Sequence, residues 1–330
     1  MVGIFKQKTP ANILILLLFG ILIKLPMFRH PFVPVSESSN GPLFIMLLNW
    51  LQPFGKSLPA LYPGIAFSLL FIQSVWLTQF INNRRLISFS TYLPGMSYLL
   101  ISSLFPEWNH FSAALLINTI LLFILSGLFR IYNQQKAKGT IFNIGLALGI
   151  ASFLFLSSLA FVIWVLLALA VMRPFRVNEW LLCILGITTP YYFYGVYLLV
   201  EGQWSWNNLV PYLSITAPEI KQSAWVAGSA FLIVIPFFIG GYYVQENLRR
   251  MLIQVRKGWS LLLLYLLTAM IVPFINTNQN FENWILAAIP FAAFHASAYL
   301  YSKIKLVPLL LFWLTAAFVL AYQYFGPGWS

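Results

Sequence analysis

Residues 141–172 carry no charged side chain. At 1.5 Å per residue one helix over this run would reach about 48 Å, against a bilayer hydrocarbon core of ~30 Å. Basic residues bound the run on both sides: Arg130, Lys136 and Lys138 before it, Arg173 and Arg176 after it. Basic flanks mark the cytoplasmic side of spanning segments, so equal flanks imply an even number of crossings. The run therefore reads as two short helices, broken near Ser157-Ser158.

The rest of the chain has the same character. Of 330 residues, 60% are hydrophobic, 18% aromatic and only 8% charged, where soluble domains carry about 25% charged residues. The composition is that of a polytopic helical membrane protein. Further apolar segments fall at 10–28, 59–81, 86–105, 111–131, 180–200, 224–244, 259–275, 284–301 and 306–324. With the two helices of the long run this makes an all-α transmembrane bundle of about eleven spans, a single integral membrane domain over 1–330. Lys6 and Lys8 precede the first segment as in a signal peptide, but Lys24, Pro26 and Arg29 follow it in place of a small-residue cleavage site, so it reads as a retained helix.

The net charge of +12 is a topology signal rather than a nucleic-acid footprint, because the cations sit in short clusters between apolar runs. Lys6, Lys8, Arg84, Arg85, Arg130, Lys136, Lys138, Arg173, Arg176, Arg249, Arg250, Arg256, Lys257, Lys303 and Lys305 fall on one side. Only Arg29, Lys56 and Lys221 fall in the opposite loops, and Lys24 lies near the end of the first segment. The positive-inside rule then places the N-terminus in the cytoplasm and the C-terminus outside, in a bacterial inner membrane. The stretch 245–258, with Arg249, Arg250, Arg256 and Lys257, reads as a cytoplasmic amphipathic linker helix. The acids sort the other way. There is no Asp; Glu37, Glu107, Glu201, Glu219 and Glu282 lie in outer loops, and Glu179 and Glu246 inside. Cys183, the single cysteine, excludes an intrachain disulfide.

Two outer regions carry polar chemistry: 29–58, with a short interfacial or re-entrant helix from about residue 43, and 201–223. In the first, Pro31, Pro34 and Pro42 stiffen the backbone around Glu37 and lower the entropy cost of holding that carboxylate in place. Solvated loop residues explain the other outer acids equally well.

The order of first helix, outer loop with an acid and short helix resembles the GT-C class of integral membrane glycosyltransferases. Residues Ser36-Glu37-Ser38-Ser39-Asn40-Gly41-Pro42-Leu43-Phe44 occupy the place of that class's catalytic loop. Gly145-Leu146-Ala147-Leu148-Gly149-Ile150-Ala151-Ser152 is similar to a small-residue stretch many members carry. Asn283-Trp284-Ile285-Leu286-Ala287-Ala288-Ile289-Pro290 looks like their late Arg-Tyr-Leu-Leu-Pro segment. The resemblance covers roughly 10–324. It departs in having Glu37 where Asp is usual, and Glu282-Asn283 where a phosphate-binding Arg is expected.

What the resemblance implies is transfer of a sugar from a polyprenyl-phosphate donor on the non-cytoplasmic face. Glu37 would be the general base that takes the acceptor's proton. Arg29, His30, His110 and Lys221 are the outer-side groups for the donor phosphate, Arg29 for its bidentate geometry, though a helix-end Arg also snorkels to headgroups. Glu107 with His110 reads either as a second acid–base pair or as a turn that caps the fourth segment. Trp204 and Trp206 suit sugar stacking or interfacial anchoring. His295, inside a span, is either functional or a neutral interhelical hydrogen-bonder. No cofactor and no metal-ligand cluster is expected; the expected partners are membrane lipids, and not nucleic acid. The rivals are a non-catalytic component of an envelope assembly or export system, and a transporter or flippase. The last predicts paired repeats and broken helices around a midplane site, and the sequence shows no internal repeat of that kind.

Overall fold

The computed structural model describes residues 2–37, 40–209, 214–216, 223–275, 281–304 and 306–326. Twelve principal helices follow one another: α1 (Ala11–Lys24), α2 (Pro42–Ser57), α3 (Leu61–Asn83), α4 (Leu93–Ile101), α5 (Ala113–Arg130), α6 (Lys138–Leu154), α7 (Phe161–Met172), α8 (Val177–Val200), α9 (Ala224–Asn247), α10 (Ile253–Ile271), α11 (Ala288–Tyr301) and α12 (Leu306–Phe325). Among the described residues there is no strand, only two isolated bridges. Seven helices are long and apolar enough to cross a membrane: α3, α5, α8, α9, α10, α12, and α11 together with the 3-10 helix Phe281–Ala287 before it. Shorter apolar helices are α1, α6 and the stretch Leu156–Met172.

The long run does split. Helix α6 ends at Leu154, Phe155 is extended (φ −147°, ψ 108°), and a 3-10 turn, Leu156–Ala160, containing both serines leads into α7. The break is stitched from outside. Gly41 N–H donates to Leu154 O at 2.9 Å, Asn40 bridges Phe155, and Ser157 Oγ donates to Ile275 O at 2.9 Å. Non-helical backbone in an apolar bundle needs such partners. A Cβ on residue 41 would lie 2.1 Å from Phe153 O, so the strap fits only as glycine. Helix α7 then runs back: Arg173, just past its end, bonds Ile131 O and Gln134 O, beside the start of α6.

Helices α6 and α8 pack closely through small residues. A Cβ on Gly145 would meet Cys183 O at 2.2 Å, and one on Gly186 would meet Phe142 O at 2.4 Å. This small-residue contact lets backbones approach where lipid supplies no hydrophobic drive between helices. At the centre, α4 is wholly buried, and 83% of the α11 span is buried, against 22% for the α9 span and 28% for α8. Gln73 on α3 donates to Leu115 O and Thr119 Oγ1, both at 2.8 Å, and accepts from Tyr98 on α4. His295 Nε2 donates to Ile233 O at 2.8 Å; of the two readings of this residue, that contact is the interhelical hydrogen bond.

The segment 86–105 forms only nine helical residues, and its flanks are irregular. The buried parts of the preceding flank are satisfied: Asn82 pairs with both backbone groups of Thr91, Tyr92 N–H donates to Phe5 O, and Trp259 Nε1 donates to Leu86 O, while Ser88, Phe89 and Ser90 are exposed. The short outer helix is longer than expected, 16 residues with Pro53 inside. The stretch 245–258 is not one linker helix. It is the end of α9, a 3-10 turn (Leu248–Arg250) and the start of α10.

The turns gather into two groups at opposite ends. Arg173 meets Ile131, Lys257 lies over Tyr132, Lys303 meets Glu246, and Ser88 meets Tyr301 at one end. Lys24 meets Asn109, His110 meets Glu282, Gly41 meets Leu154, and Thr216 meets Phe274 at the other. These are the same two sets into which charge divides the loops. The first is called the basic end here and the second the loop end.

Candidate functional site

The loop-end polar groups are held by two short 3-10 turns. Pro106–Asn109 ends with the His110 N–H donating to Glu107 O at 3.2 Å. Phe281–Ala287 precedes α11. Trp108 Nε1 fastens the two together by donating to Phe281 O at 2.8 Å, and Phe105 stacks on Phe281 with ring centroids 5.3 Å apart. This places His110 Nδ1 3.2 Å from Glu282 Oε1. The imidazole also lies flat on Phe32, centroids 4.1 Å apart and planes 9° apart, so the proline-rich loop covers one of its faces.

Behind the turn, Lys24 is fully buried and its Nζ donates to Asn109 Oδ1 at 2.5 Å. A buried amine needs such a hydrogen-bond partner. It ties α1 to the segment that carries Glu107 and His110.

Glu37 is half-buried and lines a cavity of about 40 Å³ with Phe32, Asn40, Ser112, Glu282 and Asn283. With each water occupying ~30 Å³ in the liquid, that space suits one or two waters, not a sugar ring. His30 lines a second, still smaller space, about 10 Å³, with Asn109 and His110. The structure thus gathers Glu37, His30, His110 and Glu282 around Phe32, which borders both spaces. Glu107 stays on the adjoining turn, and the side chain that caps α5 is Ser112, accepting from Leu115 N–H at 3.2 Å. Arg29 is turned elsewhere: its guanidinium lies over the Tyr324 ring, 5.6 Å from the centroid. Lys221 lies outside the described residues. Among the described residues, no group of three or more His, Cys, Asp or Glu side chains is placed to hold a metal ion.

Next to this cluster is an apolar cavity of about 730 Å³, lined by Phe105, Trp108, Ala227, Ile233, Phe281 and Trp284 among others. Val234 and Met270, also in its lining, are exposed, so it borders the apolar outer surface of α9 and α10. Its wall and the polar cluster share the same two turns: Trp108 precedes Asn109 and His110, and Phe281 precedes Glu282 and Asn283.

Two of the site's members were not singled out as site residues by sequence reading. Glu282 is one outer acid among five, and Lys24 a helix-end cation. The signal for Lys24 was present: an ionisable residue inside an apolar segment marks a special site by default. Glu282 had no comparable signal.

No family model matches the chain, and no curated protein or solved structure is significantly similar to it.

Proposed function

We propose that this chain transfers a sugar from a polyprenyl-phosphate donor to a hydroxyl acceptor at the loop end of a GT-C-like bundle. That end faces the non-cytoplasmic side of a bacterial inner membrane. The reading takes about eleven crossings, with the N-terminus inside and the C-terminus outside. The observation that carries it is the large apolar cavity built on the same two turns as the acid–histidine cluster. An isoprenoid chain fits the apolar space, and its polar end would then meet those turns.

In this reading Glu37 accepts the proton of the acceptor hydroxyl as its oxygen attacks the anomeric carbon. The carbon–oxygen bond to the phosphate breaks, and polyprenyl phosphate leaves with the electron pair. His30 and His110, which border the small space beside Phe32, are the basic side chains offered to that charge.

A second reading has one observation in its favour. The space beside Glu37 is about 40 Å³, which suits a non-catalytic membrane component of an envelope assembly better than a sugar-transfer centre. One experiment separates them. Envelope glycans and polyprenyl-linked sugars are compared in a deletion strain complemented with wild type or Glu37→Gln at matched protein levels. Transfer predicts that Glu37→Gln fails to restore the glycans; full rescue excludes Glu37 as the base and favours the non-catalytic reading.

A further inference from the structure

On the other side of the Glu37 loop, away from the acid–histidine cluster, are two connected spaces that the transfer reading does not use. A groove of about 720 Å³ runs along α8, lined by Leu185, Val196, Leu199, Trp204 and Leu209 among others. A pocket of about 170 Å³ adjoins it, lined by Asn40, Ser152, Phe153, Tyr191, Tyr194 and Asn208 among others. Tyr191 and Leu209 belong to both linings, so the spaces are continuous. Asn40 lines both this pocket and the small cavity of Glu37.

The chemistry of the two parts differs. The groove is almost wholly apolar. The pocket has hydroxyl and amide groups, yet among the described residues neither lining includes a carboxylate, ammonium, guanidinium or imidazole. A charged headgroup would be desolvated there with no counter-charge. Hydroxyls would find partners. Ser152 Oγ has one proton and gives it to Gly149 O at 2.7 Å. In the 2.7 Å contact between Ser152 Oγ and Tyr191 OH the tyrosine is therefore the donor. The Tyr191 oxygen keeps its lone pairs to accept from a ligand hydroxyl. Asn208 spends one amide hydrogen on Gln203 O at 2.8 Å and retains another.

The walls are aromatic. Phe153 packs against Tyr191 and Tyr194 with centroids 4.7 Å and 5.2 Å away, and the negative faces of such rings suit the C–H faces of a sugar. The volume corresponds to about five or six waters at ~30 Å³ each, the size of one sugar ring. The floor of the groove depends on Gly195, whose Cβ would lie 3.2 Å from Trp204.

We infer that the joined groove and pocket bind an amphiphile with an uncharged, hydroxyl-rich headgroup of the glycosyl-diacylglycerol kind, its acyl chain along α8 and its sugar between Asn40, Tyr191 and Asn208. The site stands whether or not Glu37 is catalytic.

The test uses the full chain in phosphatidylcholine nanodiscs with trace monoglucosyl-diacylglycerol carrying a diazirine in one acyl chain. After photolysis, labelled peptides are mapped by mass spectrometry. Labelling should fall within residues 185–209. Unlabelled monoglucosyl-diacylglycerol should compete at least fivefold better than phosphatidylglycerol. Gly195→Leu, which fills the groove, should abolish the label. Tyr191→Phe, nearly isosteric, should weaken competition about fivefold, as expected for one hydrogen bond, while leaving the monodisperse fold intact. Equal competition by the anionic lipid, or labelling unchanged by Tyr191→Phe, would mean annular lipid only and would overturn the site. If Gly195→Leu does not fold, the Tyr191→Phe and competition results decide alone.

Discussion

The two ends of the bundle each hold a basic side chain against an acid, built to different degrees of completion. At the basic end Arg173 grips Glu179 with two parallel contacts, Nε to Oε2 at 2.8 Å and Nη2 to Oε1 at 2.9 Å. Its remaining Nη1 donates to Ile131 O and Gln134 O, both at 2.7 Å. The two side chains are 8% and 9% exposed. At the loop end His110 and Glu282 share one contact of 3.2 Å, at 19% and 14% exposure, with the small Glu37 cavity beside Glu282. A forked guanidinium with four of its five donors engaged is a staple with little capacity left for a ligand. A single-contact pair next to a cavity retains capacity. The contrast separates what holds the helices together from what can meet a substrate.

Breaking the staple gives the largest expected effect. Arg173→Leu leaves Glu179 buried with Arg176 as its remaining cation, 3.9 Å away and exposed. Removal of one partner from a buried pair costs about 3–5 kcal/mol. Thermal unfolding of the detergent-solubilised protein should fall steeply, with the links from α5 to α6 and from α7 to α8 opening first. A shift as small as that of a surface variant would end the contrast between the ends.

Glu282→Gln probes the other side of the comparison. A partly solvated pair of this kind contributes about 0–1 kcal/mol, so the melting temperature should move little. In the complementation assay the same variant should lower glycan transfer if His110 needs its acid. Large destabilisation with unchanged transfer would make the loop-end pair a staple as well.

The smallest effect belongs to Lys303, whose contact with Glu246 at 3.1 Å lies on the surface of the basic end. The Glu246 hydrogen bond and charge raise the Lys303 pKa above its ordinary 10.5. A raised lysine contributes its stabilisation fully below the ordinary value and loses it as pH climbs through the folded-state value. Stability of the wild type should therefore drop slightly more than that of Glu246→Gln on titration into that alkaline range, and the two should respond alike between pH 6 and 9.

Much of the architecture was legible because apolar length and charge placement act locally along the chain. The break in 141–172 followed from helix length and equal basic flanks, and it falls within a few residues of Ser157. The shortening of α4 was not legible: the irregular backbone around Thr91 is stable only because Asn82, Phe5 and Trp259 come from elsewhere to bond its flanks. The candidate site divides in the same way. Glu37 and His110 stood out as polar groups in outer loops. Arg29, favoured for its bidentate geometry, faces Tyr324 instead, because a ring on α12 lies within its reach.

The sequence by itself determined that the chain is helical, apolar enough for a membrane and divided into a basic set and an acidic set of turns. Each of these follows from burying backbone in lipid and from where charge can stay hydrated, which depend on composition and order alone. Tertiary structure alone decided that His110 meets Glu282, 172 residues away, and that Lys24 meets Asn109, 85 residues away. Any of several outer acids satisfies a histidine equally well on paper. Only the packing of Trp108 against Phe281 selects which one comes within 3.2 Å.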